Sequence, residues 1–330
     1  MWRVARLRVR PVVPFWNNKM AVYTVKRLGY SVVTLVLVSF AVFFLIHLIP
    51  GDPARILLGL HATPASVREL RHSLGLDRSL AAQYRIFMGN LFHGDLGTSI
   101  RYQAPVLRLA LDRLPATLFL IGYSALISLA FAVPLGTAAA LRREKLTDHA
   151  VRMGVLVAIA IPAFWIGTIF ILIFSLKFPI FPASGYGSSF TSHLSSLFLP
   201  ALTLSLWQAG ILTRNLRSAV IDVVRLPYVD FARLRGLRAS TVLRRHVLRT
   251  SLASTVTILG VNVGFLLAGA VVVENVFSIP GSGSLLVDSV FSRDYTVVQG
   301  ITLTYAVLVI MINLATDLTY PLLDPRVRLQ

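Results

Sequence analysis

Six stretches without Asp, Glu, Lys or Arg limit this chain to one environment: Leu28–Leu48, Leu114–Leu141, Met153–Leu176, Phe178–Thr213, Thr250–Val273 and Tyr295–Thr316. Each reaches the ~20 residues with which an α-helix crosses about 30 Å of hydrocarbon. Lipid offers no water to backbone N–H and C=O groups, so such a segment must close its hydrogen bonds internally, as a helix does. Pro179, Pro182, Gly185 and Gly187 interrupt the first part of the fourth stretch, which places its span at Leu197–Thr213. Charged residues make up 14% of the 330-residue chain, against roughly 25% in soluble domains, too few for a water-facing surface. The expected fold is all-α, an integral membrane protein with six transmembrane helices.

The formal net charge of +18 invites a nucleic-acid reading, and its distribution argues against one. With both termini inside, segments 1–27, 142–152, 214–249 and 317–330 hold 22 of the 32 Lys and Arg residues. That asymmetry follows the positive-inside rule and sets the N and C termini in the cytoplasm. Membrane lipid is the expected surrounding, and nucleic acid is not an expected partner. The absence of cysteine excludes disulfides, thiol nucleophiles and Cys-ligated metal sites.

Residues 1–22 read as a basic cytoplasmic extension, poorly structured up to Lys19, with Met20 as an alternative start to Met1. Residues 23–49 read as the first transmembrane helix. A cleaved signal peptide fits badly, because the apolar run exceeds an h-region and ends in His47-Leu-Ile-Pro-Gly-Asp-Pro53 rather than a small-residue cleavage site. Pro50 and Pro53 stop that helix. Residues 50–113 form an extracytoplasmic region. In it Val67, Leu70 and Leu74 recur at helical spacing, Gln83–Met88 suits a second short helix, and Gly94-Asp-Leu-Gly97 is a turn. The region either packs over the helix ends or meets an external partner.

A five-helix core follows over residues 114–321, with a cytoplasmic tail at 322–330. Pro115, Pro134 and Pro162 lie within its spans, where neighbours can satisfy the carbonyls that proline frees. The fourth span carries Gln208. The fifth carries Asn262 and the small residues Gly260, Gly264, Ala268, Gly269 and Ala270, which permit close helix approach. It ends at Glu274, the acidic residue nearest the membrane. An intramembrane carboxylate is a functional candidate by default, yet at a helix end it can equally sit among headgroups or pair with an arginine.

Between the fourth and fifth spans lies a basic loop, residues 214–249. Its Tyr228–Arg249 part reads as two short helices around Gly236, because glycine tolerates the φ > 0 of a helix C′ position. Leu243 and Val247 lie one turn apart, as do Arg245 and Arg249, which sets an apolar stripe beside a basic one. The residues alone leave two readings open: a loop held inside by its charge, or a docking surface. No Gly-x-x-x-x-Gly-Lys-Ser/Thr phosphate loop occurs, so nucleotide binding of that kind is not expected. The seven histidines show no tight metal spacing. Ser282 lacks a nucleophile elbow, since Pro280 and Ser284 stand where the two glycines belong. No catalytic residue, cofactor site or metal site is expected, and the chain reads as a non-enzyme.

Several motifs in fixed order nevertheless resemble one family. They are Pro50-Gly-Asp-Pro53, Leu74-Gly-Leu-Asp77 with Gln83-Tyr84, Gly94-Asp-Leu-Gly97, Leu114-Pro-Ala-Thr117, Glu274-x-x-Phe-Ser-x-Pro-Gly281 and Asp324-Pro-Arg326. From about Tyr23 to Arg328 the chain resembles the first permease subunit of bacterial ABC importers for dipeptides, oligopeptides and nickel. The basic bend is similar to that family's coupling loop, Glu-Ala-Ala-x-x-x-Gly. Asp230 stands for the glutamate, Phe231 and Ala232 for the alanines, and Gly236 for the glycine; Phe231 and Ala239-Ser-Thr depart from the usual pattern.

The resemblance implies a type I ABC importer permease fold in the bacterial inner membrane. Tyr228, Asp230, Phe231, Ala232, Arg235, Gly236, Leu237, Val242, Arg245, His246 and Arg249 would meet the ATPase. Glu274, Asn275, Phe277, Asn262 and Gln208 are candidates for the pathway or a gate. It also implies a second, homologous permease subunit, two ATPase subunits that bind ATP and Mg, and an extracytoplasmic substrate-binding protein. Peptides are the expected substrate, with nickel chelates, glutathione or another small solute as alternatives. From a different class, a stand-alone ion-coupled carrier using Glu274 and Asp317 would be expected to carry acidic groups at the midplane, and here they lie at span ends.

Overall fold

A computed structural model describes residues 16–48, 55, 63–73, 75 and 77–323. In chain order the helices are α1 (Trp16–Leu48), α2 (Pro64–Ser73), α3 (Leu80–Phe92), α4 (Val106–Leu141) and α5 (Leu146–Ala160). They continue with α6 (Ala163–Lys177), α7 (Phe190–Val224), α8 (Pro227–Leu234), α9 (Ala239–Val261), α10 (Val263–Val276), α11 (Ser282–Phe291) and α12 (Tyr295–Leu323). No β-strand occurs among the described residues. Residues 1–15, Pro50-Gly-Asp-Pro53, Leu74, Leu76 and Asp324-Pro-Arg326 lie outside the described residues.

The six expected spans take two forms. Helices α1, α4, α7 and α12 are each long and apolar enough to cross a membrane alone. The other two expected spans fall on bent pairs of apolar helices, α5 with α6 at 99° and α9 with α10 at 53°, which bring the count to six where each pair is one span. The first break follows from Pro162, which forces Ile161 into extended backbone at φ −86 and ψ 129. Proline does not decide the matter alone, since Pro115 and Pro134 sit inside α4 and Pro200 inside α7 without ending either helix. At the second break Asn262 sits at φ −83 and ψ 2, and its carbonyl accepts from both Phe265 N and Leu266 N.

Several helices also run past the charge-free stretches. Helix α1 starts at Trp16, inside the segment expected to be an unstructured extension, and α4 starts at Val106 rather than Leu114. Helix α7 starts at Phe190, where Ser189 and Ser192 form a reciprocal capping box. In the segment before α4, α2 and α3 match the two expected short helices. Gly94 and Gly97 both take positive φ, and Gly97 N donates to Asp95 Oδ1 at 2.8 Å.

The most extensive interface joins α4 to α7. Along α4, Ala116, Leu120, Ser124, Ser128, Ala132, Gly136 and Ala139 are all buried, a stripe at intervals of three or four residues dominated by small side chains. Without a hydrophobic drive between helices in lipid, such close backbone approach is what packing must exploit. A Cβ at Gly136 would lie 3.0 Å from Thr213 O and 3.1 Å from Leu216 Cβ. Gly136→Leu is therefore expected to cost about 1–3 kcal/mol by overpacking, read as a lower thermal midpoint of the purified protein. Gly122→Leu, with nothing within 4 Å, should leave that midpoint unchanged.

Candidate functional site

Two constellations stand at opposite ends of the α9–α10 span. At the N-terminal end lies the basic bend. Helix α8 turns Val229 and Ala232 inward, where they pack with Val242 and Val247 of α9 against Leu216, Val220 and Val223 of α7. Helix α8 ends in a Schellman motif: Leu237 N donates to Ala232 O at 3.4 Å, and Gly236 N to Arg233 O at 2.9 Å. Gly236 takes φ +75, the left-handed conformation that the motif requires. The Tyr228 hydroxyl donates to His246 O at 3.1 Å and so ties α8 to α9. Asp230 pairs with Arg233 at 3.2 Å on the exposed side.

The start of α9 departs from the expected spacing. Val242–Leu248 is wound as a π-helix, so the buried pair is Val242 and Val247, five residues apart, rather than Leu243 and Val247. Leu243 is only partly buried. The wider π turn brings Val242 and Val247 under α8, where an α-helical turn would set Leu243 with Val247. Arg245 and Arg249 remain exposed, and His246 is half-buried. The outer face of the bend is apolar as well as basic: Phe231 is 66% exposed and Leu234 82%, beside an exposed Leu237. Of the proposed contact residues, Val242 and Ala232 thus serve as anchors, while Phe231, Arg235, Leu237, Arg245 and Arg249 form the accessible face.

An ion pair beside this end was not recognised from sequence. Arg217 of α7 grips Asp148 of α5 through Nε–Oδ1 and Nη2–Oδ2, both at 2.6 Å. Asp148 is fully buried and also accepts from Glu144 N at 3.0 Å. In the sequence Arg217 counts only toward the positive-inside charge, and nothing in the spacing of the two residues marks them as partners.

At the other end of the span, Glu274 is completely buried. It pairs with no arginine among the described residues. Its Oε1 accepts from Thr117 Oγ1 of α4 at 2.6 Å, and its Oε2 accepts from Ser284 N at 2.9 Å. Thr117 Oγ1 in turn accepts from Ser282 N at 2.9 Å. A carboxylate and a hydroxyl thus cap the first turn of α11, whose free N–H groups favour negative charge. Gly281 and Gly283 leave room for this: a Cβ at Gly281 would collide with the Glu274 carboxyl, and one at Gly283 would lie 2.6 Å from Val271 Cα. Phe277 is buried against Gly167 of α6, and its carbonyl accepts from Gly185 N at 3.1 Å. The sequence motifs around Thr117 and Glu274, so far apart in the chain, are two halves of one hub. Thr117→Val keeps the shape but strips the donor from Glu274 and the acceptor from Ser282 N. Each buried group left unpaired costs about 1–3 kcal/mol, which should appear as a lower thermal midpoint than the wild type shows.

The remaining pathway candidates do not join this hub. Asn262 marks the bend between α9 and α10. Asn275 is exposed and donates to Val271 O at 2.7 Å. Gln208 is fully buried in α7, and its amide has no partner among the described residues. Asp317 lies in α12, but its side chain is outside the described residues. Asp294 was missed: buried ahead of α12, it accepts from Ser99 Oγ at 2.6 Å and from Ile100 N and Arg101 N at 3.1 Å. An aspartate immediately before an apolar run is an N-cap signal that could have found it. Among the described residues, no group of three His, Asp or Glu could hold a metal ion.

Residues 132–329 match the family described as binding-protein-dependent transport system inner membrane component, and residues 20–121 match its N-terminal family. The chain belongs to that family. This permease is 36% identical to a putative peptide transport system permease protein of Brucella abortus, over 94% of this chain and 99% of the relative. It is 37% identical to the di/tripeptide transport system permease protein DppB of Pseudomonas aeruginosa, over 94% and 100% of the two chains. Identity is also 37% to the glutathione transport system permease protein GsiC of Pectobacterium atrosepticum, over 93% and 98%. A crystal structure of an amino acid ABC transporter shares the fold, with TM-score 0.50 and 15% identity over 64% of this permease and 93% of that chain. The permease is a multi-pass inner membrane subunit of a binding-protein-dependent ABC importer.

Proposed function

We propose that this permease forms one half of a peptide pathway and takes its drive at the bend from separate ATPase subunits. The observation that carries the substrate is full-length similarity to relatives named for peptide and di/tripeptide transport. The glutathione relative favours glutathione as the second reading. A second, homologous permease completes the pathway, and a binding protein delivers substrate at the end that carries Glu274. ATP and Mg belong to the partner ATPases, and this chain performs no hydrolysis. Both termini and the bend face the cytoplasm, in keeping with the placement of Lys and Arg.

The bend suits docking for a physical reason. Its inward residues tie it to α7 and α9, so it moves with the spans, while Phe231, Leu234 and Leu237 offer apolar anchors rimmed by arginines. Nucleotide-driven closure of the ATPases would then bias the bundle between two packings. Glu274, Asn275, Phe277, Asn262 and Gln208 remain the candidate pathway or gate residues. Because the chain has no cysteine, Phe231→Cys gives a unique thiol. It should crosslink to an ATPase subunit in membranes and be labelled only from the inside. Labelling from outside the cell, with no ATPase crosslink, would refute the docking assignment.

A further inference from the structure

An apolar groove of about 510 Å³ lies between α1, α10, α11 and α12, and Val271 in its lining borders Gly283 of the Glu274 hub. Thr34 and Val38 of α1 form one wall, Gly264 and Ala268 of α10 the floor, and Ala306 and Val309 of α12 the other wall. The Thr34 hydroxyl donates to Tyr30 O at 2.8 Å, and the buried Tyr305 hydroxyl, which also lines the groove, has no partner among the described residues. The rim is apolar and exposed, with Val33, Leu37, Phe265 and Met311 around it. Two basic residues, Lys26 and Arg27, are exposed on α1 towards its N-terminus.

We propose that this groove holds an acyl chain of an anionic phospholipid whose headgroup is held by Lys26 and Arg27. Three observations favour lipid. The first is depth. At 1.5 Å per residue, Thr34 lies roughly 10–12 Å along α1 from the two basic residues and Val38 roughly 17–18 Å. Half of a ~30 Å hydrocarbon core is about 15 Å, so a headgroup at the basic pair lays its tail along the groove.

The second observation is size. A ten-residue helix, ~10 Å wide and ~15 Å long, fills roughly 1,200 Å³, more than all the empty space of about 960 Å³ in and over the groove. A helix from a partner could cover the groove but not enter it; a single hydrocarbon tail can. The third is charge. Adjacent basic residues at a membrane surface attract anionic headgroups, each contributing about fivefold in binding, and no charged residue lines the groove to oppose an apolar tail.

The test uses the full chain with the subunits it assembles with, in phosphatidylcholine nanodiscs. Leu37→Cys supplies the only thiol of this chain, on the rim rather than in the groove, for an environment-sensitive fluorophore, with the partner subunits in cysteine-free form. Brominated phosphatidylglycerol is expected to quench it at about tenfold lower mole fraction than brominated phosphatidylcholine. Ala268→Phe, which fills the floor, should abolish that preference. So should Lys26→Gln with Arg27→Gln, both at exposed positions of α1. Salt at about 1 M shrinks the Debye length to ~3 Å and should weaken the preference in the unaltered chain. Equal quenching by the two lipids would overturn the proposal, as would a preference that survives both variants. Protection from both lipids would also overturn it and would assign the groove to a protein partner.

Discussion

Replacing Gly236 with proline is expected to abolish ATP-driven uptake while the chain still inserts in the membrane. Proline holds φ near −65°, whereas Gly236 sits at +75, and proline also lacks the N–H that bonds Arg233 O. Both closing bonds of the Schellman motif are lost, and α8 can no longer hand the chain to α9 in its present direction. A cost of about 3 kcal/mol borne by the placement of the docking face is more than a hundredfold in a docking equilibrium. The spans themselves are untouched. The measurement is uptake together with ATPase stimulation by loaded binding protein, both of which should fall. Gly236→Ala gives an internal comparison: a Cβ there meets nothing within 4 Å, so only the left-handed backbone is penalised, by about 1–2 kcal/mol. Its defect should lie between wild type and proline. Charge reversal at Arg245 and Arg249 should reduce coupling through the exposed face without disturbing the turn.

The second large effect is expected at Asp148 and Arg217. Removing one member of a buried ion pair leaves an uncompensated charge and costs about 3–5 kcal/mol. Asp148 is fully buried while Arg217 keeps a 20% exposed side chain. Arg217→Met, which strands the carboxylate, should therefore be worse than Asp148→Leu, which leaves an arginine able to reach solvent. The double variant should recover much of the loss, because neither buried charge remains. Thermal midpoints of the four proteins check this ordering. A double variant as unstable as the sum of the two singles would show that the residues act independently.

How much of this was legible in sequence can be argued residue by residue. The spans were readable because hydrocarbon imposes a length and forbids charge, and Leu114–Leu141 or Tyr295–Thr316 satisfy both conditions without tertiary context. Their shapes were not. Pro162 breaks its span by 99° while Pro115, Pro134 and Pro200 pass through unbroken helices, so proline alone does not set the bend. The turn at Gly236 was readable because one backbone conformation demands one residue type. The buried pair beneath it was misread by one position, because a π-helix shifts the period that an α-helical count assumes. Glu274 and Thr117 were each noticed within their own motifs, but a hydrogen bond across 157 positions has no local signature. Asp148 and Arg217 were hidden for another reason. The positive-inside rule accounts for Arg217 whether or not it has a partner.

The most direct measurement is peptide uptake into proteoliposomes assembled with and without the other subunits. With the second permease, the ATPases, the binding protein and ATP all present, a labelled dipeptide should accumulate. Omission of any one should stop it, and an imposed proton gradient should not replace ATP. Uptake by this chain alone, driven by a proton gradient, would contradict the assignment and restore the ion-coupled carrier.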